Sequence, residues 1–144
     1  MLSISRDLVR LEAMLAITSY PQEFVDATRA RLAAQVAAYT DAAPTSPALE
    51  AAFFNNLVIV LDRCFVHRVR NAEGKDGNPL NEARVICNSL IENGGVMAAD
   101  KTIKLKPEQS LLGYAPGDEI RLDAAAFQRL ADGFLAEIER RYPS

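Results

Sequence analysis

Apolar residues recur at helical spacing along most of this chain. Leu8, Leu11, Met14 or Leu15 and Thr18 follow Ser5, a capping residue type, and predict a first helix. Tyr20-Pro21 ends it, because the residue before a proline is pushed out of the α region. Ser19 and Gln22 have capping-box spacing for a second helix, which runs to about Tyr39 on a stripe of Phe24, Thr28, Leu32, Val36 and Tyr39. Residues 41–47 read as a loop, with Ser46 as the cap and Pro47 as the first residue of a third helix. That helix, predicted over residues 47–71, is the longest. Its Leu57-Val-Ile-Val-Leu61 centre is apolar on every side, so it is expected to be the most buried element. Residues 72–77 form a turn, and Asn78-Pro79 opens a fourth helix striped by Leu80, Ala83, Ile86 or Cys87, Leu90 and Ile91. Asn93-Gly94-Gly95 closes it in left-handed backbone.

The period then changes. Thr102-Ile-Lys-Leu-Lys106 and Glu119-Ile-Arg-Leu122 alternate polar and apolar, and Pro107, Gly113, Pro116 and Gly117 lie between them. The pattern predicts a short antiparallel ribbon laid on the helices, since one ribbon is marginal alone. Asp123 then caps a last helix with Phe127, Leu130, Phe134, Ile138 and Tyr142 on one face. The expected architecture is all-α: a single domain over residues 1–144, a bundle of about five helices, with a short β-ribbon before the C-terminal helix.

Composition narrows the class. A chain of 144 residues, 49% apolar and 24% charged, suits one folded domain and excludes intrinsic disorder and a disulfide scaffold. No apolar run approaches the ~20 residues of a membrane span. The opening residues carry Arg6, Asp7 and Arg10 among their apolar neighbours and do not read as a signal peptide. A reducing cytoplasm is the expected compartment, with Cys64 and Cys87 as buried thiols. The net charge is −3, from 16 basic and 19 acidic residues, and all four lysines lie between Lys75 and Lys106.

Candidate chemistry gathers between Phe53 and Arg84. On a wheel of the third helix, Asn55, Asn56, Asp62, Arg63, His67 and Arg70 share a polar arc. Arg68 falls on the apolar side, where its stem could snorkel. Asn56, Arg63, His67 and Arg70 are spaced seven, four and three residues apart and so stack along one line. One reading is a plain wet face. The other is the wall of a cleft, in which two arginines and a histidine offer forked donors to a carboxylate or phosphate. Ile59, Val60 and Val66 among them would lower the local dielectric. Such a face is poor in Glu, Lys and Gln, which favours its being covered by a helix, a second subunit or a ligand.

The following turn contributes Lys75 and Asn78, and a glycine-flanked turn leading into a helix N-terminus can hold an anion. It lacks Walker spacing. Asp76 or Asn78 can instead cap the fourth helix, and Glu82 can complement its dipole. The candidate ligand-binding set is therefore Asn56, Arg63, His67, Arg70, Lys75 and Asn78.

A single histidine precludes the two-histidine metal sites, and no metal or cofactor is expected. Three functional classes follow. The first is a non-enzymatic bundle that binds a small anionic ligand. The second is a small enzyme with His67 as acid–base and the arginines on substrate. The third is an interaction module or homodimer in which the same face meets a protein. Lys101, Lys104 and Lys106 add a basic strip that also suits edge protection. Without interleaved aromatics it argues against nucleic acid as a partner.

Overall fold

The computed structural model describes residues 16–144. The helix predicted from Leu8 falls largely outside the described residues. Its last positions, 16–18, are extended rather than helical: Ile17 donates its N–H to the carbonyl of His67 and accepts from the N–H of Val69, both at 2.8 Å.

Five α-helices follow: α1 (Gln22–Asp41), α2 (Pro47–Cys64), α3 (Arg70–Glu73), α4 (Pro79–Glu92) and α5 (Ala124–Arg141). One turn of 3-10 helix covers Pro107–Gln109. The protein is mainly helical, as the hydrophobic period requires. Helices α2, α4 and α5 pack against one another, and α1 lies against α2 and α5. Phe54, Leu61, Ile86, Phe127, Phe134 and Ile138 are fully buried between them. The stripe expected of the last helix, Phe127 to Tyr142, is buried throughout.

The cap chemistry explains three of the starts. Ser46 Oγ accepts from the N–H of Leu49, Asn78 Oδ1 from that of Leu80, and Asp123 Oδ1 from that of Ala126, satisfying donors that have no intrahelical partner. α1 differs. It begins after Pro21 with no side-chain cap, so Ser19 lies outside the capping position. Gln22 instead donates to Asp26 and Glu139.

Two expectations are corrected. The third helix does not run to residue 71. α2 stops at Cys64, and a tight turn leads to the single turn of α3. Continued helically, Arg68 would have projected into the apolar seam beside Leu57 and Leu61. The chain turns out of the helix and finds partners for that guanidinium instead.

The second correction is the β-ribbon, which does not form. The carbonyl of Gly95 accepts from Ile120 at 2.9 Å, and Met97 donates to the carbonyl of Asp118 at 2.8 Å. Asn55, on α2, takes the next two positions: its amide donates to the carbonyl of Ile120 at 2.9 Å and accepts from the N–H of Leu122 at 3.0 Å. One side chain thus does what a neighbouring strand would have done. Residues 102–106 lie elsewhere, turned by Asp100, which accepts from the N–H groups of Thr102 and Ile103. The alternation correctly marks Ile103, Ile120 and Leu122 as buried, but it carries no information on which backbone pairs with which.

Asn55→Ala would strip two half-buried backbone groups of their partner. It is expected to lower stability by about 1–3 kcal/mol, read as a lower urea midpoint at unchanged slope. A midpoint equal to that of the parent would contradict the assignment.

Candidate functional site

The turn from α2 to α4 is built on a buried charge cluster. Glu73, the last residue of α3, has no exposed surface. Its carboxylate accepts from Arg68 Nε at 2.9 Å, from Arg84 Nε at 3.0 Å and Nη2 at 2.6 Å, and from Asn81 Nδ2 at 2.9 Å. Arg68 spends its remaining donors on Asp62 Oδ1 at 2.8 Å and the carbonyl of Phe65 at 3.0 Å. Its guanidinium carbon lies 5.3 Å from the centre of the Phe134 ring, a cation–π arrangement. The bond to Phe65 gives the C-cap carbonyl of α2 a second donor beside the backbone N–H of Arg68 itself at 3.2 Å.

The end of α5 closes the cluster. Arg141 donates to the carbonyl of Glu73 at 3.0 Å, and Tyr142 Oη donates to that of Val69 at 2.7 Å. Burial pushes the carboxyl of Glu73 up, but the bonds from Arg84 and Asn81 and the charges of Arg68 and Arg84 outweigh it and hold the group below the usual glutamate range.

The predicted site residues divide between two places. Asn56 and Arg63 are exposed on the outer face of α2. Because α2 ends at Cys64, His67 and Arg70 leave that line. His67 is exposed in the turn, and Arg70 is exposed at the start of α3. The four do not share one helical face. Arg70 and Lys75 do come together, lining with Asn71 and Gly74 an open groove of about 480 Å³. Asn78 lies beneath, buried. Its amide donates to the carbonyl of Glu73 and to Asp76 while its oxygen caps α4, so its polar atoms are engaged within the protein.

Two geometric features shape the groove. Glu73 already has three close bonds from Arg68 and Arg84, and Arg70 Nε reaches it only at 4.0 Å, leaving the Arg70 guanidinium mostly in solvent. Beside it, the N–H of Lys104 donates to the carbonyl of Lys75 at 3.0 Å, which lays residues 101–106 along the turn. That approach needs Gly77: its φ is +86°, and a Cβ there would lie 2.5 Å from the carbonyl oxygen of Lys104. The exposed cations Arg70, Lys75, Lys101, Lys104 and Lys106 therefore belong to two adjoining segments. The acids nearby are committed: Asp76 bonds Arg141 and Asn78, and Asp100 caps its own turn.

The sequence reading missed Arg68, treated as a snorkelling side chain, and the role of Arg84 as its counterpart. The signal was present: an arginine on the apolar side of a helix requires a buried acid within reach. The thiols are separately disposed. Cys87 is buried, and burial pushes its thiol up, whereas Cys64, half-buried, accepts on Sγ from Arg31 at 3.0 Å. Among the described residues no three or more His, Cys, Asp or Glu side chains converge as a metal set, and no helix is long and apolar enough to cross a membrane. Comparison with known protein families, with curated proteins and with solved structures finds no match to this chain.

Removing Glu73 leaves two arginines facing each other in the interior. Glu73→Gln is expected to cost about 3–5 kcal/mol in chemical denaturation. The pH dependence has a definite sign. The folded carboxyl titrates below its ordinary 4.5, so its contribution is complete above that value and is lost as the pH falls below it. The parent should therefore lose stability on acidification in that window more steeply than Glu73→Gln. Parallel stability–pH curves would contradict this.

Proposed function

We propose that this chain is a non-enzymatic helical domain that binds a small anionic ligand in the groove lined by Arg70, Asn71, Gly74 and Lys75. The observation that carries this reading is the Lys104–Lys75 backbone bond, which sets a second lysine-bearing segment beside the groove lined by Arg70, Asn71 and Lys75. Arg70 supplies forked donors left over from the internal cluster, and the lysines supply point charges. Asn78 and Glu73 act from beneath, fixing the turn rather than touching the ligand. His67, Asn56 and Arg63 stand outside this narrower set.

A second reading rests on a different surface. Leu49 and Val60 are 52% and 36% exposed on the outer face of α2, beside Asn56 and Arg63, a mixed apolar and polar face of the kind two copies could share. Sedimentation of the full chain tests it: a concentration-dependent dimer that Val60→Asp converts to monomer supports this reading, and a monomer at all concentrations removes it.

For the anion groove, titration calorimetry with pyrophosphate and with a dicarboxylate is the direct measurement. Saturable binding that weakens with salt is expected, reduced about tenfold or more by Arg70→Ala and by Lys75→Ala. Both side chains are exposed, so the variants should fold as the parent does. Absence of saturable heat with either anion, or binding indifferent to both substitutions, would remove the proposal.

A further inference from the structure

The second buried carboxylate of α4 stands in contrast to the first. Glu82 is 2% exposed, yet no cation of α4, of residues 107–113 or of α5 lies within 4.0 Å of it. Its two oxygens accept instead from consecutive backbone amides, Leu111 N–H at 2.8 Å and Leu112 N–H at 2.9 Å. Of the charged groups on the elements around it, Glu92 of α4, Glu108 of the segment and Arg129 and Asp132 of α5 are exposed, Arg84 is paired with Glu73, Glu137 with Arg140 and Arg141, and Glu139 with Arg29.

The segment that supplies those amides is organised by itself. Ser110 Oγ donates to the carbonyl of Pro107 and accepts from the N–H of Gly113, both at 2.9 Å. Leu111 seats the segment against α5, and Leu112 packs on the core. Leu111 Cδ1 occupies the space above Gly133, only 2.5 Å from where a Cβ would be. A glycine inside a helix is unfavourable, and here it makes the notch that receives the leucine. Next to the segment lies a small cavity of about 80 Å³, whose lining includes Val85, Leu105, Pro107 and Tyr114.

We infer that residues 107–113 form a strap latched by Glu82, and that the latch grips on acidification and loosens as the pH rises. In the closed state the ionised carboxylate has left water without gaining a cation among the described residues, and the two amides offset only part of that loss. In the open state it is hydrated and ionises as an ordinary glutamate. The proton is therefore held more tightly by the closed state, and by linkage protonation favours closure. Burial raises the carboxyl of Glu82 while the Leu111 and Leu112 amides draw it down, with a net rise. The neutral acid keeps acceptor capacity for the strap. The strap also follows directly on the Lys104–Lys106 segment, which the Lys104–Lys75 backbone bond ties to the turn beside the groove.

Amide hydrogen exchange on the full chain reads the latch. After correction for intrinsic rates, protection of Leu111 and Leu112 is expected to fall as the pH is raised from about 5 to about 8, while that of Phe134 in α5 does not follow it. A carbon-13 carboxyl titration should place the Glu82 midpoint above the ordinary 4.5. Glu82→Gln should abolish the pH dependence of strap protection. Gly133→Ala should lower protection at every pH and keep the dependence. Protection that is flat with pH, a Glu82 midpoint at or below the ordinary value, or the same pH dependence in Glu82→Gln would each overturn the inference. If Glu82→Gln does not fold, the two parent measurements decide it.

Discussion

A carboxylate without water contact must find its charge met inside the protein, and Glu73 meets it with Arg68, Arg84 and Asn81. Much of the molecule is arranged around that requirement. Arg68 reaches Glu73 only because the chain abandons the helix at Cys64. Arg84 comes from the second turn of α4, so that helix is held at a fixed register against the turn. The end of α5 adds Arg141 and Tyr142 to the carbonyls of the same segment. One acidic group thus sets where α2 ends, where α3 sits and how α4 and α5 meet it.

This arrangement concerns specificity more than net stability. Apolar residues of the same volume could often replace a buried ion cluster at no loss, whereas breaking one partner leaves an uncompensated charge. The cluster punishes any packing that separates its members, and it fixes one geometry among several that an apolar core would tolerate. It also has a surface consequence. Because Arg68 and Arg84 saturate Glu73, Arg70 stays largely in solvent at the rim of the groove. Glu82 shows the opposite solution to the same problem, a buried carboxylate held by amides alone.

How much of this the sequence disclosed follows from the range of each interaction. Ser46, Asn78 and Asp123 act within three residues of their partners, and their caps are legible from spacing. The stripes of α4 and α5 are legible because 3.6-residue periodicity is local, although Ile91, in the last turn of α4, is 65% exposed. The end of α2 was not legible as a break, since no glycine or proline marks it. Its cause is Arg68, whose acidic partners Asp62 and Glu73 lie six and five residues away on opposite sides of the break, with Glu73 shared by Arg84 a further eleven residues on. Asn55 escaped for the same reason: its partners Ile120 and Leu122 are 65 and 67 residues distant. Of the candidate site, Arg70 and Lys75 adjoin because they are close in sequence, while Asn56 and Arg63 were joined to them by a helix that stops short. Lys104 was read as part of a strip, and its placement beside Lys75 depends on Gly77 admitting a distant carbonyl.

A double-mutant cycle between Glu73 and Arg84 tests the central claim most directly. Urea denaturation of Glu73→Gln, Arg84→Met and the double variant gives their coupling free energy. A favourable coupling of about 1–3 kcal/mol is expected, with the double variant more stable than the sum of single losses allows. Additive losses, with no coupling beyond error, would mean that the carboxylate and the guanidinium do not depend on each other and would contradict it.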